Sequence, residues 1–129
     1  MAHILIIDDD ELIRDTVRTI LASDGHESVL AVDGEDGVRQ FQHQSFDLVL
    51  CDVFMPHKEG LATMREICQL SAATPIISMT GSIPTGVSDQ PDFPLTNGAT
   101  RTIAKPFRPR DLLALVRECL GRSSKSGEA

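Results

Sequence analysis

The chain contains no tryptophan and no tyrosine, and aromatic residues make up only 4% of it. Few flat faces are left on which a nucleobase or a flavin could stack. Cysteine is scarce too: Cys51, Cys68 and Cys119 are odd in number, widely spaced and set in apolar stretches. They imply no disulfide framework and read as buried thiols of a reducing compartment. No apolar run approaches the ~18 residues of a membrane span, so a soluble cytoplasmic protein without a membrane partner is expected. His3, His26, His43 and His57 lack zinc-ligand spacing, and both a Walker loop and a GxGxxG fingerprint are missing. Basic side chains are the minority charge, 12 Lys plus Arg against 19 Asp plus Glu. A surface built to neutralise nucleic-acid phosphates needs the opposite balance, so no direct nucleic-acid binding is expected.

With 129 residues, 41% of them hydrophobic, the chain can bury one core and has no room for a second full domain. Its charge is uneven, since residues 1–99 carry 5 basic and 16 acidic side chains and residues 100–129 carry 7 and 3. Arg110, Arg117 and Arg122 fall on an amphipathic pattern, so this basic end reads as a solvated helix surface. Short apolar runs predict strands at 4–7, 27–32, 48–51, 76–79 and 101–104. Between them, helical spacing predicts helices at 11–23, 34–42, 61–70 and 110–120. Their inner faces carry Ile13, Val17, Ile20 and Leu21, then Val38 and Phe41, then Leu61, Met64, Ile67 and Cys68, then Leu112, Leu113, Val116 and Leu120. Asp24 and Gly25 should end the first helix, while Pro109 and Gly121 should bracket the last. Between Thr80 and Gly98 the pattern breaks at Gly81, Pro84, Gly86, Pro91 and Pro94, and each interior proline costs a helix ~3 kcal/mol. Mostly loop is expected there. Alternation of strand and helix otherwise points to an α/β fold with a parallel sheet and right-handed crossovers.

Four of the apolar runs stop at a residue able to do phosphate or metal chemistry: Asp8 and Asp9, then Asp52, Thr80 and Lys105. Ligands on open parallel sheets bind beyond the carboxyl ends of the strands, so these groups should converge. Two unit charges ~4 Å apart repel by ~4 kcal/mol at an effective dielectric of 20, so clustered carboxylates call for a counter-cation. Mg²⁺ suits them, because it takes hard oxygen ligands, keeps several waters and needs only one or two carboxylates plus a phosphate oxygen. Asp10 reads instead as the N-cap of the following helix. Asp52 is the best nucleophile, ending a run near the sheet's centre. Thr80 and Lys105 could then hold the phosphoryl oxygens, since phosphoryl transfer needs mainly positioning and charge stabilisation.

These residues resemble the receiver domain of two-component response regulators, through ILIIDDDELIR at 4–14, DLVLCDVFMPHKEG at 47–60, PIISMTGS at 75–82 and AKPF at 104–107. The likeness covers nearly the whole chain. It implies a flavodoxin-like (βα)5 fold with a five-stranded parallel sheet in the order 2-1-3-4-5, here with the helix before the fifth strand short or degenerate. It further implies that Asp52 accepts phosphate from a histidine kinase or a histidine phosphotransfer protein. Asp9, Asp52 and the carbonyl of Phe54 would ligate Mg²⁺, with Asp8 acting through water. Thr80 and Lys105 would grip the phosphoryl oxygens, and the Lys105-Pro106 bond would be cis.

Three departures from the family pattern stand out. Thr102 occupies the place of an aromatic residue on strand five, so the usual coupling of the Thr80 hydroxyl to an aromatic rotamer is in question. The proline-rich stretch thins the family's usual partner-binding face. Phe54 puts a bulky apolar group where water would attack, which should lengthen the phosphorylated lifetime. The expected protein is a stand-alone receiver, with domain bounds 1–121 and a flexible tail at 122–129. It would not be an enzyme beyond its own phosphorylation and dephosphorylation, and it would switch the binding of a protein partner. One rival is a phosphate-independent interaction module. The other is a haloacid-dehalogenase-like phosphatase, which would need a second acid at the position held by Phe54.

Overall fold

The computed structural model describes residues 2–53, 60–81 and 99–128, with 122–128 described by backbone alone. Five strands, β1 (His3–Ile7), β2 (Glu27–Ala31), β3 (Leu48–Asp52), β4 (Ile76–Thr80) and β5 (Arg101–Ala104), form one sheet in the order β2-β1-β3-β4-β5. Every pairing is parallel. Among the described residues there are four helices, α1 (Glu11–Ser23), α2 (Gly34–His43), α3 (Gly60–Leu70) and α4 (Pro109–Glu128). The helix expected to be short or degenerate, between β4 and β5, falls on 82–98 and lies outside the described residues.

Alternation along the strands divides the core in two, because successive side chains leave a strand on opposite faces. Ile4, Ile6, Leu48, Leu50, Ile77 and Met79 pack with Val17, Ile20 and Leu21 of α1 and with Leu112, Val116 and Cys119 of α4. Their neighbours Leu5, Ile7, Val49, Cys51 and Ile76 face the other way, onto Val38 of α2 and Met64 and Ile67 of α3. The central strands β3 and β4 are buried at every residue, as continuous apolar runs covered on both faces should be. Each fully buried Leu, Ile or Met side chain contributes roughly 1.5–3 kcal/mol, so one charge placed at Leu50 would break the sheet's centre.

Local signals set most element ends. Asp10 caps α1 by accepting a hydrogen bond from the Leu12 amide, and Asp33 caps α2 through the Asp36 amide. Gly25, with φ at +83°, turns the chain out of α1 toward β2. Pro109 opens α4, where its missing N–H is not needed. The far end of α4 differs from expectation. Gly121 takes helical rather than left-handed backbone, and the segment 122–129 expected as a tail carries helix as far as Glu128. A helical glycine costs only ~1 kcal/mol relative to alanine, and no proline lies between Gly121 and Glu128 to stop the helix.

Candidate functional site

Register brings the chemistry to one rim. Ile7 lies level with Cys51, Asp52 with Met79 and Thr80 with Ala104. The residues at or just past these pairs, Asp8, Asp52, Thr80 and Lys105, therefore stand side by side at the carboxyl edge.

The three consecutive acids that follow β1 have separate tasks. Asp8 is 0% exposed; its amide donates to the Ala31 carbonyl, and its Oδ1 accepts from the Asp10 amide at 2.9 Å. The Arg14 guanidinium, one turn into α1, donates through Nη1 to the Asp8 carbonyl at 2.8 Å and holds the turn from the helix side. Asp9 is exposed, and Asp10 is spent on capping. Asp52 closes β3 and is 5% exposed. One oxygen from each of Asp8, Asp9 and Asp52 lies within 4.8 Å of the others.

Lys105 follows β5, its amide bonded to the Thr80 carbonyl at 2.6 Å. Its side chain is 17% exposed, and its Nζ lies 2.7 Å from Asp8 Oδ2 and 3.5 Å from Asp52 Oδ1. Burial disfavours the ammonium, but the hydrogen bond to Asp8 and the charges of Asp52 and Asp8 outweigh it, so its pKa is held above the ordinary lysine value. The Lys105-Pro106 bond is cis, as the resemblance implies. Thr80 is buried on the same rim, its hydroxyl donating to the Ile103 carbonyl at 3.4 Å.

One ammonium cannot balance three ionised carboxylates, so this cluster favours a further cation. The donor set is all carboxylate oxygen, with no thiolate or imidazole in it, and the exposure of Asp9 leaves water access on one side. That is the chemistry of a Mg²⁺ site that keeps part of its hydration shell. The fourth expected ligand, the carbonyl of Phe54, lies outside the described residues, as does the Phe54 side chain.

Two contacts of the site were not anticipated from sequence. Gly60, first residue of α3, donates its amide to the Val53 carbonyl at 2.9 Å, and a Cβ there would meet the Asp52 carbonyl oxygen at 1.8 Å. The glycine in the matched stretch 47–60 was its one sequence signal. Lys105 pairs first with Asp8, across 97 residues of chain, and a separation that long leaves no local trace. Behind the site, the buried Cys51 thiol faces the Asp52 carbonyl at 3.4 Å. Burial above all, then the negative charges of Asp52 and Asp8, push its pKa up, so it stays a protonated packing group.

Residues 4–117 match the family model described as the response regulator receiver domain. The chain is 33% identical over 115 residues to the transcriptional regulatory protein DltR of Streptococcus agalactiae, covering 89% of this chain and 50% of that protein. With the transcriptional regulatory protein CpxR of Escherichia coli it shares 34% over 123 residues, 95% of this chain and 51% of the other. It thus spans about half the length of these curated relatives. Because both are named for transcriptional regulation and are longer, they lend no support to the expectations of stand-alone action and of no contact with nucleic acid. Among solved structures, a CheY-like response regulator receiver domain protein from Methanospirillum hungatei superposes with a TM-score of 0.89 at 32% identity, with 98% of each chain covered. The strand order, the acidic rim with its lysine and the extent of these matches agree, and the chain belongs to the response regulator receiver domain family.

Proposed function

We propose that this receiver accepts a phosphoryl group on Asp52 from a histidine kinase or a histidine phosphotransfer protein, in a Mg²⁺-dependent reaction that shifts its affinity for a protein partner. The carrying observation is the setting of Asp52: nearly buried at the tip of β3, with two other carboxylates within 4.8 Å and an ammonium 3.5 Å away. In the transfer, an Asp52 carboxylate oxygen forms a bond to phosphorus while the bond from phosphorus to the donor's histidine nitrogen breaks. That nitrogen keeps the electron pair, and with a proton on the ring's other nitrogen the donor departs as neutral imidazole, leaving an acyl phosphate on Asp52. Asp8, Asp9 and Asp52 would hold Mg²⁺, which supplies neutralisation of the charge gathered on the phosphoryl oxygens.

The chain's own groups do the positioning. Lys105, kept cationic by its acidic neighbours, can contact a phosphoryl oxygen while still bonded to Asp8. Thr80 can turn its hydroxyl from the Ile103 carbonyl to another oxygen of the same group, since 3.4 Å is a long hydrogen bond to give up. Catalysis is confined to this chain's own phosphorylation and dephosphorylation. Action in the cytoplasm belongs to the same proposal; among the described residues no helix is long and apolar enough to cross a membrane.

Incubation with acetyl phosphate and Mg²⁺, followed by intact mass measurement, tests it. One phosphoryl adduct is expected on the wild type and none on Asp52→Asn. A wild type that takes no label while still binding a partner would favour the phosphate-independent module instead.

A further inference from the structure

Below Thr80, on the same face of β4, sits Ser78, fully buried. Its register partner on β5 is Thr102, and the two hydroxyls are hydrogen-bonded to each other across the strands. One step nearer the rim, Thr80 stands opposite Ala104, whose methyl group offers a hydroxyl nothing to bond. The Thr80 hydroxyl therefore turns to a backbone acceptor, the Ile103 carbonyl, and makes a long bond. The β4-β5 edge thus has two tiers on this face, a closed hydroxyl pair below and a hydroxyl held by one long bond above.

We propose that Ser78 and Thr102 are positioning residues for the phosphoryl site, and that they act through Thr80. Their side-chain bond adds to the backbone ladder just where β5 is least covered, its residues being half-buried or exposed. It fixes the separation of the two strands one pleat before Thr80, and so the place from which the Thr80 hydroxyl reaches an oxygen of the phosphorylated Asp52. Where an aromatic side chain at position 102 could swing between two rotamers, a threonine bonded to a buried serine is a fixed strut. Thr102 therefore replaces the expected aromatic with a part that holds the site still rather than one that reports on it. The inference rests on Asp52 being the phosphoacceptor.

The test compares initial rates of acetyl phosphate labelling with Mg²⁺ in the wild type, Thr102→Val, Thr102→Ser, Ser78→Ala and Thr80→Ala, and in Thr102→Val combined with Thr80→Ala. Displacements of ~1 Å at such sites change rates by up to ~100-fold, and a loosened strand edge should move Thr80 by less, so Thr102→Val and Ser78→Ala are expected to slow labelling roughly three- to tenfold. Thr102→Ser, which keeps the hydroxyl, should stay within about twofold of the wild type. In the Thr80→Ala background, Thr102→Val should have no further effect, because the strut then has nothing to position. Additive losses, or a Thr102→Val that labels at the wild-type rate, would overturn the proposal while leaving Asp52 as the acceptor. A wild type that takes no label would overturn both.

Discussion

Substituting Gly60→Ala probes how tightly the start of α3 is built against the phosphoacceptor. The new Cβ would lie 1.8 Å from the Asp52 carbonyl oxygen, 2.6 Å from Val53 Cα and 2.7 Å from the Val53 carbonyl oxygen. All three are backbone atoms, so no side chain can swing aside. Reaching ordinary contact near 3.4 Å requires a shift of about 1.6 Å, by the helix or by the Asp52 peptide. Overpacking of this kind costs ~1–3 kcal/mol, and a rigid backbone obstacle puts the expectation at the upper end, about 3 kcal/mol. Domain stabilities are ~5–15 kcal/mol, so the variant should still fold, with a urea midpoint clearly lowered. The site should suffer more than the fold. A displacement of this size beside Asp52 should slow acetyl phosphate labelling at least ~tenfold. Urea melts and labelling time courses on the two proteins read both effects. Wild-type stability together with wild-type labelling would refute the close approach of α3 to Asp52.

Other expectations concern the charges around the site. The folded pKa of Lys105 is raised, so its pairing should contribute fully below 10.5, the ordinary lysine value, and be lost as pH rises through the higher folded value. Urea melts across this alkaline range should show a decline that Lys105→Met lacks; parallel curves would contradict the pairing with Asp8. Magnesium should raise the melting temperature of the wild type, and EDTA should remove that gain along with labelling, whereas Asp9→Asn should gain little. The buried Cys51, whose pKa is raised by burial and by its acidic neighbours, should resist iodoacetamide in the folded protein while half-buried Cys68 reacts first. Peptide mapping of the alkylated protein checks the order.

Where the fold could be read from sequence, the signal was local. The strand runs at 4–7, 48–51 and 76–79 needed only continuous apolar side chains, and each of these strands lies within a residue of its expected place. The Glu11–Ser23 helix was marked at both ends, by Asp10 as a cap and by Gly25 as a left-handed turn. The end of α4 was misplaced because a glycine after an amphipathic stretch stops a helix only when it takes left-handed backbone, which its type alone does not dictate. Inner faces were set by tertiary fit as much as by spacing: Thr63 is buried in α3 while Cys68 is only half-buried. At the site, the acids, Thr80 and Lys105 were legible as strand-end residues. The preference of Lys105 for Asp8, the Ser78–Thr102 bond and the contact behind Gly60 depend on register and backbone separation, which no single segment encodes.

Three carboxylates share this rim, and the decisive question is which of them carries the phosphoryl group. Treatment with acetyl phosphate and Mg²⁺, reduction of the acyl phosphate by borohydride and tandem mass spectrometry of the digest would answer it. Homoserine at position 52, absent when Mg²⁺ is withheld, is the expected result. Homoserine at position 8 or 9, or no reducible phosphoryl group anywhere in the chain, would contradict the assignment of Asp52.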